Sequence, residues 1–373
     1  MRSRLRSLPA GSTTQESPLP RLRRANCADP GFSRRRRGRG FEYFDADGDK
    51  IVDPDVLGRI AGLAIPPAWR EVWICPDDRG HLQAVGSDER GRRQYRYHDD
   101  WRTRRDRAKF DHMVEFARCL PDLREACRHD LAASGELTRE RVLACAIRLL
   151  DHGFFRVGGE SYAAENDTVG LATMRKEHVS LSQEGVAFDY PAKGGKRRVV
   201  SVVDPVVFDV VGALKRRRGG GPELLAYRNG RRWVDVRSDE VNARIKVMCG
   251  ADCSAKDFRT WNATVLAAVA LAVSAPAASG TTSAKRAMSR AAQEVASYLG
   301  NTPAVARSSY IDPRVYDRYL SGWTIAGSLS ELAADADGLS IQGPVEEAVL
   351  DLLDFRRSSD ALQRGAEGLA AAG

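Results

Sequence analysis

The sequence predicts an α+β protein, with a small β-rich N-terminal domain and a mainly helical domain that carries a three-stranded sheet. Short strand-like runs separated by turn residues come first, stretches with helical spacing follow, and a meander of three strands interrupts the helices. The 373 residues are enough for two domains, and 43% hydrophobic residues is typical of a globular chain.

The first 40 residues differ from the rest of the chain in charge. They hold eleven Arg against only Glu16 and Asp29, a net charge of +9, whereas the whole chain carries +8. The segment lacks apolar periodicity, so we expect residues 1–40 to form a basic, disordered tail. A nonspecific phosphate-binding arm and a solvated leader without function both stay open. An organelle transit peptide would need an amphipathic apolar spacing, which is missing.

Residues 41–110 are predicted to form the β-rich domain, with Arg-Gly turns between strands. The strand-like runs are EVWICPDD (71–78), HLQAVGSD (81–88) and RQYRYH (93–98). In the third run, alternation puts Tyr95 and Tyr97 on one face and Gln94 on the other. Aromatic side chains interleaved with arginine suit a nucleic-acid contact, although a strand with one buried face has the same pattern.

Residues 111–325 are predicted to form the larger domain. RERVLACAIRLLDHG (139–153) has helical spacing and ends at a glycine. A meander follows, whose strands are HVSL (178–181), VAFDYP (186–191) and RRVVSVV (197–203). Two long helices come next, the first opened by a capping box of Ser254 and Asp257. Thr302-Pro303 then opens a short helix that carries Tyr310.

The last segment, residues 326–373, is acidic, with nine acidic and three basic residues and one amphipathic helix, PVEEAVLDLLDFRR. We expect an appendage to the larger domain. Whether it docks on that domain or covers a basic face stays open.

The seven cysteines are scattered and form no CxxC pair, which favours free thiols in a reducing compartment. DADGDK (45–50) is not an EF-hand loop, because Gly48 is its fourth residue and Val56 stands where the bidentate Glu belongs. No His follows residue 178 to complete a zinc site with Cys249 and Cys253. We therefore expect no metal. No apolar run reaches the about 18–20 residues of a membrane span.

Several basic and polar residues are candidates to hold a phosphate near Tyr310. Alone, a tyrosine is more commonly a core aromatic, and a lysine or arginine is more commonly a surface charge or an ion-pair partner. The candidates are Arg156 after a helix stop, Lys193 at a hairpin tip, Lys256 and Arg259 at a helix start, and Asn301 just before the Tyr310 helix.

Four stretches carry a specific resemblance: GHLQAVGSDERGRRQYRYH, FRVGGESYAAENDTVGLATMRKEHV, KDFRTWNATV and LGNTPAVARSSYIDP. Over about residues 41–320 the chain resembles the small, poxvirus-like type IB DNA topoisomerases found in bacteria. The spacings agree as well, with 37 residues from Arg156 to Lys193 and nine from Asn301 to Tyr310.

The resemblance implies that Tyr310 is the nucleophile and that Arg156, Lys193 and Arg259 complete the catalytic set. Asn301 stands where poxvirus enzymes have His, whereas bacterial relatives commonly carry Asn. Because an amide donates a hydrogen bond but exchanges no proton, a phosphate-oxygen donor is expected at this position, not an acid or a base.

The implied activity is nicking of one strand of duplex DNA through a 3′-phosphotyrosyl intermediate, followed by rotation and religation. No Gly-x4-Gly-Lys-[Ser/Thr] loop is present and no carboxylate cluster accompanies the tyrosine, so relaxation without ATP, metal or another cofactor is expected. We expect a monomer whose two domains close around duplex DNA, with no membrane partner, in the cytoplasm of a bacterium on its nucleoid. The DNA-contact candidates are Gln94, Tyr95, Tyr97 and Lys256.

Two alternatives stay open at this point. A tyrosine recombinase shares the catalytic fold and the Arg, Lys, Arg, Tyr set, but its usual box has His three residues before the second Arg, where this chain has Lys256. A DNA-binding relative without catalysis is disfavoured by the intact set, and only an assay excludes it.

Overall fold

The computed structural model describes residues 21–132, 135–160, 163, 168–274, 280–329 and 342–364. The chain divides into two units, Met1–Lys109 and Phe110–Gly373, named here the N-terminal unit and the larger unit. Within the described ranges, none of the helices has the length and apolar character that a membrane crossing requires.

The described part of the N-terminal unit is built on one antiparallel sheet with the strand order β2-β1-β3-β4-β5. Its core contains Ile60, Val72, Ile74 and Ala84. One helix of this unit begins at Pro54, and Asp53 is its N-cap. The Asp53 side chain accepts hydrogen bonds from two backbone N–H groups of the first turn. The elements are β1 (Phe32–Arg37), β2 (Gly40–Phe44), α1 (Pro54–Gly62), β3 (Arg70–Ile74), β4 (Leu82–Ser87) and β5 (Arg93–Tyr97).

Residues 1–40 were expected to form a disordered tail, but strand β1 lies inside this range and pairs with both β2 and β3. The expectation is therefore wrong for the residues of β1. Arg34 of β1 is held by local partners. Arg34 donates to the carbonyl oxygens of Pro66 at 2.7 Å and Trp69 at 2.9 Å, and its guanidinium lies 4.1 Å from the centre of the Phe41 ring. Residues 1–20 of the expected tail lie outside the described residues.

The larger unit begins within a long helix, α2 (Asp99–Ala132), which starts before the boundary between the units. A short 3₁₀ turn, Lys176–His178, leads into the first strand of its sheet. The helices are α3 (Arg139–Gly153), α4 (Pro205–Arg216), α5 (Ser238–Cys249), α6 (Ala255–Ser274), α7 (Thr281–Leu299), α8 (Pro303–Ser309), α9 (Pro313–Leu320) and α10 (Pro344–Asp354). The strands are β6 (Val179–Ser182), β7 (Gly185–Ala192), β8 (Lys196–Val202), β9 (Ala226–Asn229), β10 (Arg232–Asp235), β11 (Trp323–Thr324) and β12 (Gln363–Arg364).

The predicted α+β class is confirmed, including the three-stranded sheet β6-β7-β8 of the larger unit. Each predicted bound of these strands differs by one residue from the observed bound. The central element of the core is α6, whose apolar, Ala-rich sequence is buried on most sides. Phe258, Trp261 and Val265 are its large buried side chains, and α3 and α7 pack against the helix.

The C-terminal helix α10 is part of this core instead of an appendage to it. Val345, Val349 and Leu352 are buried in the same cluster as the α6 side chains, and the helix packs on α6 and α9. Residues 330–341 and 365–373 of the expected appendage lie outside the described residues.

Cys119 and Cys249 form a disulfide, which corrects the expectation that the thiols are free. The cysteines lie on α2 and α5, and their Cα atoms are 5.6 Å apart although 130 residues separate them in the sequence. The other described cysteines, Cys27, Cys75, Cys127, Cys145 and Cys253, are free.

Candidate active site

Arg156 lies in a loop whose backbone is fixed on both sides. Helix α3 ends at Phe154, which adopts the left-handed conformation (φ 54°), and the next side chain, Phe155, is buried. The Arg156 carbonyl accepts from the Leu171 N–H at 2.8 Å. Here the chain passes so close to itself that a Cβ on Gly158 would lie 2.8 Å from the Cα of Gly170.

Arg259 is almost fully buried on the second turn of α6, with 3% of its surface exposed. Its two Nη groups donate to main-chain carbonyls, one to Phe154 and the other to Leu299 at 2.9 Å. Its Nε is also buried, and no hydrogen-bond partner for it is found in the described part of the chain. Arg259 therefore joins the ends of α3 and α7, and its Nε–H donor has no acceptor among the described residues.

Tyr310 is the residue that directly follows α8. The helix begins at an N-cap, where the Thr302 hydroxyl accepts from the Val305 N–H. The buried hydroxyl of Thr264 on α6 accepts from the Asp312 N–H at 3.1 Å and lies 3.3 Å from the Tyr310 carbonyl oxygen. The main chain that directly follows Tyr310 is thus fixed to the helix that carries Arg259.

Asn301 lies between α7 and α8. Gly300 ends α7 in the left-handed conformation (φ 64°), which glycine adopts without strain. Arg156 Nη2 donates to Asn301 Oδ1 at 2.7 Å, and this bond orients the amide. Within the described ranges, the buried Nδ2 of Asn301 has no hydrogen-bond partner.

Lys193 occupies the turn between β7 and β8. The turn closes with Gly194 (φ 84°) and Gly195 (φ 73°), both in conformations that favour glycine. A cavity of about 360 Å³ opens beside this turn. Its lining includes Arg156, Lys193, Lys256, Arg259 and Tyr310, and none of the lining residues that the structure describes is acidic.

The positive charges alter the titration of the groups in this cavity. Burial alone would raise the pKa of the Tyr310 phenol, but the charges of Arg259 and Arg156 and hydrogen bonds from both side chains outweigh it, so the pKa lies below its usual value. Burial, together with the charge of Arg156, lowers the pKa of Arg259 to about 10. The guanidinium therefore stays charged at neutral pH, and the phenol is a better nucleophile than an isolated tyrosine.

The structure thus brings all five predicted catalytic residues into one part of the larger unit, where four of them line the cavity and Asn301 contacts Arg156. Lys256, predicted to contact DNA, is an exposed residue of the same cavity.

The other predicted DNA-contact residues lie on β5 of the N-terminal unit. Tyr95 and Tyr97 are 50% and 37% exposed, and their ring centroids are 6.2 Å apart with the rings nearly parallel. Gln94 is on the opposite face, where its Nε2 donates to Asp88 Oδ2 at 3.0 Å. The two rings are free to stack on a ligand, whereas Gln94 is engaged with its own domain.

Sequence reasoning did not single out Arg198 within its basic run, and it missed Thr264. Arg198 lines a second cavity of about 260 Å³ with Arg156 and Lys193, and it donates to the Tyr298 carbonyl at the end of α7. The basic run KGGKRR (193–198) contains a signal for Arg198, but no local pattern identifies a buried threonine as a tether for Tyr310.

In the described part of the chain, no group of three or more His, Cys, Asp or Glu side chains is arranged to hold a metal ion.

Comparison with protein families gives two matches along the chain. Residues 98–320 match the catalytic core of eukaryotic DNA topoisomerase I, and residues 40–88 match the N-terminal domain of bacterial DNA topoisomerase IB. The first match alone covers more than half of the chain.

Similar proteins agree with these matches. The chain is 27% identical to DNA topoisomerase 1B of Acanthamoeba polyphaga mimivirus over 288 residues, which are 75% of this chain and 85% of the viral protein. It is 32% identical to DNA topoisomerase 1 of Schizosaccharomyces pombe over 160 residues, 42% of this chain and 18% of the yeast protein. Identity to DNA topoisomerase 1 of Candida albicans is 33% over 155 residues, 40% of this chain and 19% of that protein.

The topoisomerase I family acts on DNA, and a cavity lined by Arg156, Lys193, Arg259 and Tyr310 has the charge to hold a DNA phosphate. The chain belongs to that family, and within it to the type IB enzymes, which are isomerases. The tyrosine recombinase alternative is not favoured.

Proposed function

We propose that Tyr310 breaks and reseals one strand of duplex DNA inside the cationic cavity of the larger unit. The observation that carries the proposal is the position of the Tyr310 phenol beside two arginines, in a cavity whose described lining is cationic. The proposed catalytic residues are Tyr310, Arg156, Lys193, Arg259 and Asn301.

In the first step, the Tyr310 oxygen attacks a phosphodiester phosphorus and the bond from phosphorus to the 5′ oxygen breaks. The products are a 3′-phosphotyrosine and a free 5′ hydroxyl. A lowered phenol pKa supports this step, because it raises the fraction of the ionised nucleophile. A phenol is also a good leaving group, so the reverse reaction remains accessible.

Negative charge develops on the nonbridging phosphate oxygens during the attack. Arg259 Nε and Asn301 Nδ2 are buried donors for which the described residues offer no acceptor, so a phosphate oxygen would satisfy both. Their partners inside the protein hold them in place beforehand, which is the condition for strong transition-state stabilisation. We assign Arg156 to the same role, since its guanidinium lines the cavity and orients Asn301.

The departing 5′ oxygen needs a proton, because an alkoxide is a poor leaving group. Lys193 is the proposed general acid. Its place on a two-glycine turn at the cavity supports this assignment, since such a turn allows a side chain to approach a bound phosphate.

While the strand is broken, the 5′ end rotates about the intact strand, and the 5′ hydroxyl then attacks the phosphotyrosine and expels Tyr310. The phosphotyrosine bond conserves the energy of the original phosphodiester, so resealing needs no nucleotide. Supercoils of either sign would relax.

The remaining contacts with DNA are proposed from exposure and charge. Tyr95 and Tyr97 offer stacked, exposed rings, Gln94 lies on the other face of the same strand, and Lys256 adds a charge at the rim of the cavity. We further propose that the enzyme acts as a monomer on duplex DNA, in the bacterial cytoplasm and on the nucleoid.

Relaxation of a supercoiled plasmid tests the proposal. We expect relaxation in EDTA without ATP, and we expect Tyr310→Phe to abolish both relaxation and the covalent 3′ adduct while DNA affinity stays within a few fold, because binding is dominated by charge. A strict requirement for magnesium or ATP, or a covalent adduct in Tyr310→Phe, would refute it.

A further inference from the structure

Three charged side chains form a buried network in the larger unit, away from the cavity. Arg124 on α2 donates from Nε to Asp151 Oδ2 at 2.8 Å and from Nη1 to Glu346 Oε2 at 2.5 Å. Its Nη2 bridges the same two carboxylates, at 3.0 Å to Asp151 and 2.9 Å to Glu346. The network therefore joins α2, α3 and α10.

The three side chains are largely withdrawn from water, with exposed fractions of 20% for Arg124, 4% for Asp151 and 10% for Glu346. Burial alone would lower the pKa of Arg124, but the hydrogen bonds that it donates to Glu346 and Asp151 outweigh burial and raise the pKa. Buried ion pairs of this kind add little net stability compared with apolar residues, so a different role has to be considered.

The network continues to the helix that carries Arg259. Trp261 donates from Nε1 to Glu346 Oε1 at 2.6 Å, and Asn262 donates from Nδ2 to the Asp151 carbonyl at 2.7 Å. Both residues lie on α6 within one turn of Arg259. The position of α6 relative to α3 is thus fixed by hydrogen bonds directly beside the catalytic arginine.

The position of one carbonyl acceptor of Arg259 depends on the same network. Asp151 is three residues before Phe154, whose carbonyl accepts from Arg259 Nη1. A shift of α3 against α6 would change this contact and would also move Arg156, two residues further along the loop. The donor geometry at the phosphate is sensitive to such shifts.

We propose that Glu346 is a positioning residue for the reaction, which acts by holding α6 and α3 in the register that Arg259 needs. Glu346 lies beyond residue 320, where the family match ends, so the proposal gives the C-terminal helix α10 a role in positioning the site. The inference rests on the proposed role of Arg259.

Single-turnover cleavage of a duplex oligonucleotide at saturating protein tests this inference. Glu346→Ala should slow cleavage by about 10²-fold, the usual effect of a misplacement of about 1 Å, and leave DNA affinity within a few fold. Glu346→Gln should recover part of the rate, because its amide oxygen still accepts from Trp261. Glu347→Ala is the matched control, since Glu347 is the exposed neighbour on the same helix, and it should cleave at the wild-type rate.

A double-mutant cycle with Arg259→Ala separates positioning from a general loss of stability. If Glu346 acts through Arg259, the cleavage rate of the double variant should lie within about threefold of the rate of Arg259→Ala alone. Full additivity of the two defects would overturn the inference. A wild-type rate for Arg259→Ala alone would instead overturn the proposed function of Arg259, so the two failures are distinguishable.

Trp261→Phe keeps the test valid if Glu346→Ala does not fold. This variant removes the N–H that donates to Glu346 and part of the ring volume, and it keeps an aromatic ring in the core. It should slow cleavage in the wild-type background and have no further effect in the Arg259→Ala background. A wild-type cleavage rate for folded Trp261→Phe would contradict the inference.

Discussion

Arg156 and Asn301, 145 residues apart in the sequence, are joined by a hydrogen bond of 2.7 Å from the guanidinium to the amide oxygen. This hydrogen bond fixes which end of the Asn301 amide is the oxygen and which is the nitrogen. The oxygen is occupied by Arg156, and the buried Nδ2 faces away with no partner among the described residues. Asn301 therefore combines an internal anchor with a donor for a substrate oxygen.

Asn301→Asp should separate these two functions. The carboxylate still accepts from Arg156 but has no N–H to donate, and its charge repels a phosphate. We expect cleavage to slow by about 10²–10³-fold, the usual cost of losing one donor at a developing oxyanion, in single-turnover assays. Asn301→His, which can donate from a ring nitrogen, should retain more of the rate. An Asp variant with the wild-type rate would show that Nδ2 contacts no reacting oxygen.

The lowered pKa of Tyr310 predicts a pH dependence. Below the phenol pKa, the fraction of phenolate rises tenfold per pH unit, so the cleavage rate should rise with pH and level off below about 10, the ordinary pKa of tyrosine. Arg259→Gln removes the largest charge that lowers this pKa, so its rate should level off at a higher pH than that of the wild type.

Absorbance of tyrosinate between pH 7 and 11 measures this shift directly, as the difference between each protein and its Tyr310→Phe counterpart. The same shift in the Tyr310 pKa determines how the stability of the fold changes with pH. Because the folded value lies below the unfolded one, Tyr310 stabilises the fold fully above about pH 10, and this contribution is lost as the pH falls through the folded value. Identical titration of Tyr310 with and without Arg259 would exclude the electrostatic cause.

Regular patterns allowed the fold class and several of its elements to be predicted, although the long helix α2 was missed. Helix α3 has the predicted bounds of 139–153, because its apolar spacing and its terminal glycine are local signals. Strand β1 was missed because FSRRRR has no apolar alternation. Arg34 and Arg35 are instead stabilised by the rings of Phe41 and Phe44 on the paired strand, and such a partner is not visible in a local window.

The site was predictable only in part, for a similar reason. Motifs and their spacings identified Tyr310, Arg156, Lys193 and Arg259 as candidates. They did not indicate that Arg259 donates to the carbonyls of Phe154 and Leu299, because such bonds depend on which helix ends meet in three dimensions. The disulfide of Cys119 with Cys249 was missed likewise, since the spacing of two cysteines 130 residues apart carries no pairing information.

The disulfide predicts a dependence of stability on reductant. It closes a loop of 130 residues, and such cross-links typically stabilise a fold by about 2–4 kcal/mol. Denaturant unfolding with and without a phosphine reductant measures the difference, and Cys119→Ser should match the reduced wild type and show no response to the reductant. Equal stability of the oxidised and reduced wild type would show that the cross-link contributes nothing.

The proposed acid role of Lys193 is tested by changing the leaving group. The conjugate acid of an alkoxide has a pKa far above that of a thiol, which is about 8.5, so sulfur departs without a proton. Lys193→Ala should therefore lose about 10²–10⁴-fold in cleavage rate on ordinary DNA. Most of that loss should disappear on DNA with a bridging 5′ sulfur.

Arg259→Ala is the matched control for this experiment, because it removes a donor to the nonbridging oxygens and not a proton for the leaving group. The nonbridging charge develops with either leaving atom, so this variant should be slow on both substrates. Lys193 and Arg259 line the same cavity, and a loss of cavity structure would affect both substrates alike. Equal defects of Lys193→Ala on oxygen and sulfur would refute the acid role and would leave Lys193 as a phosphate contact.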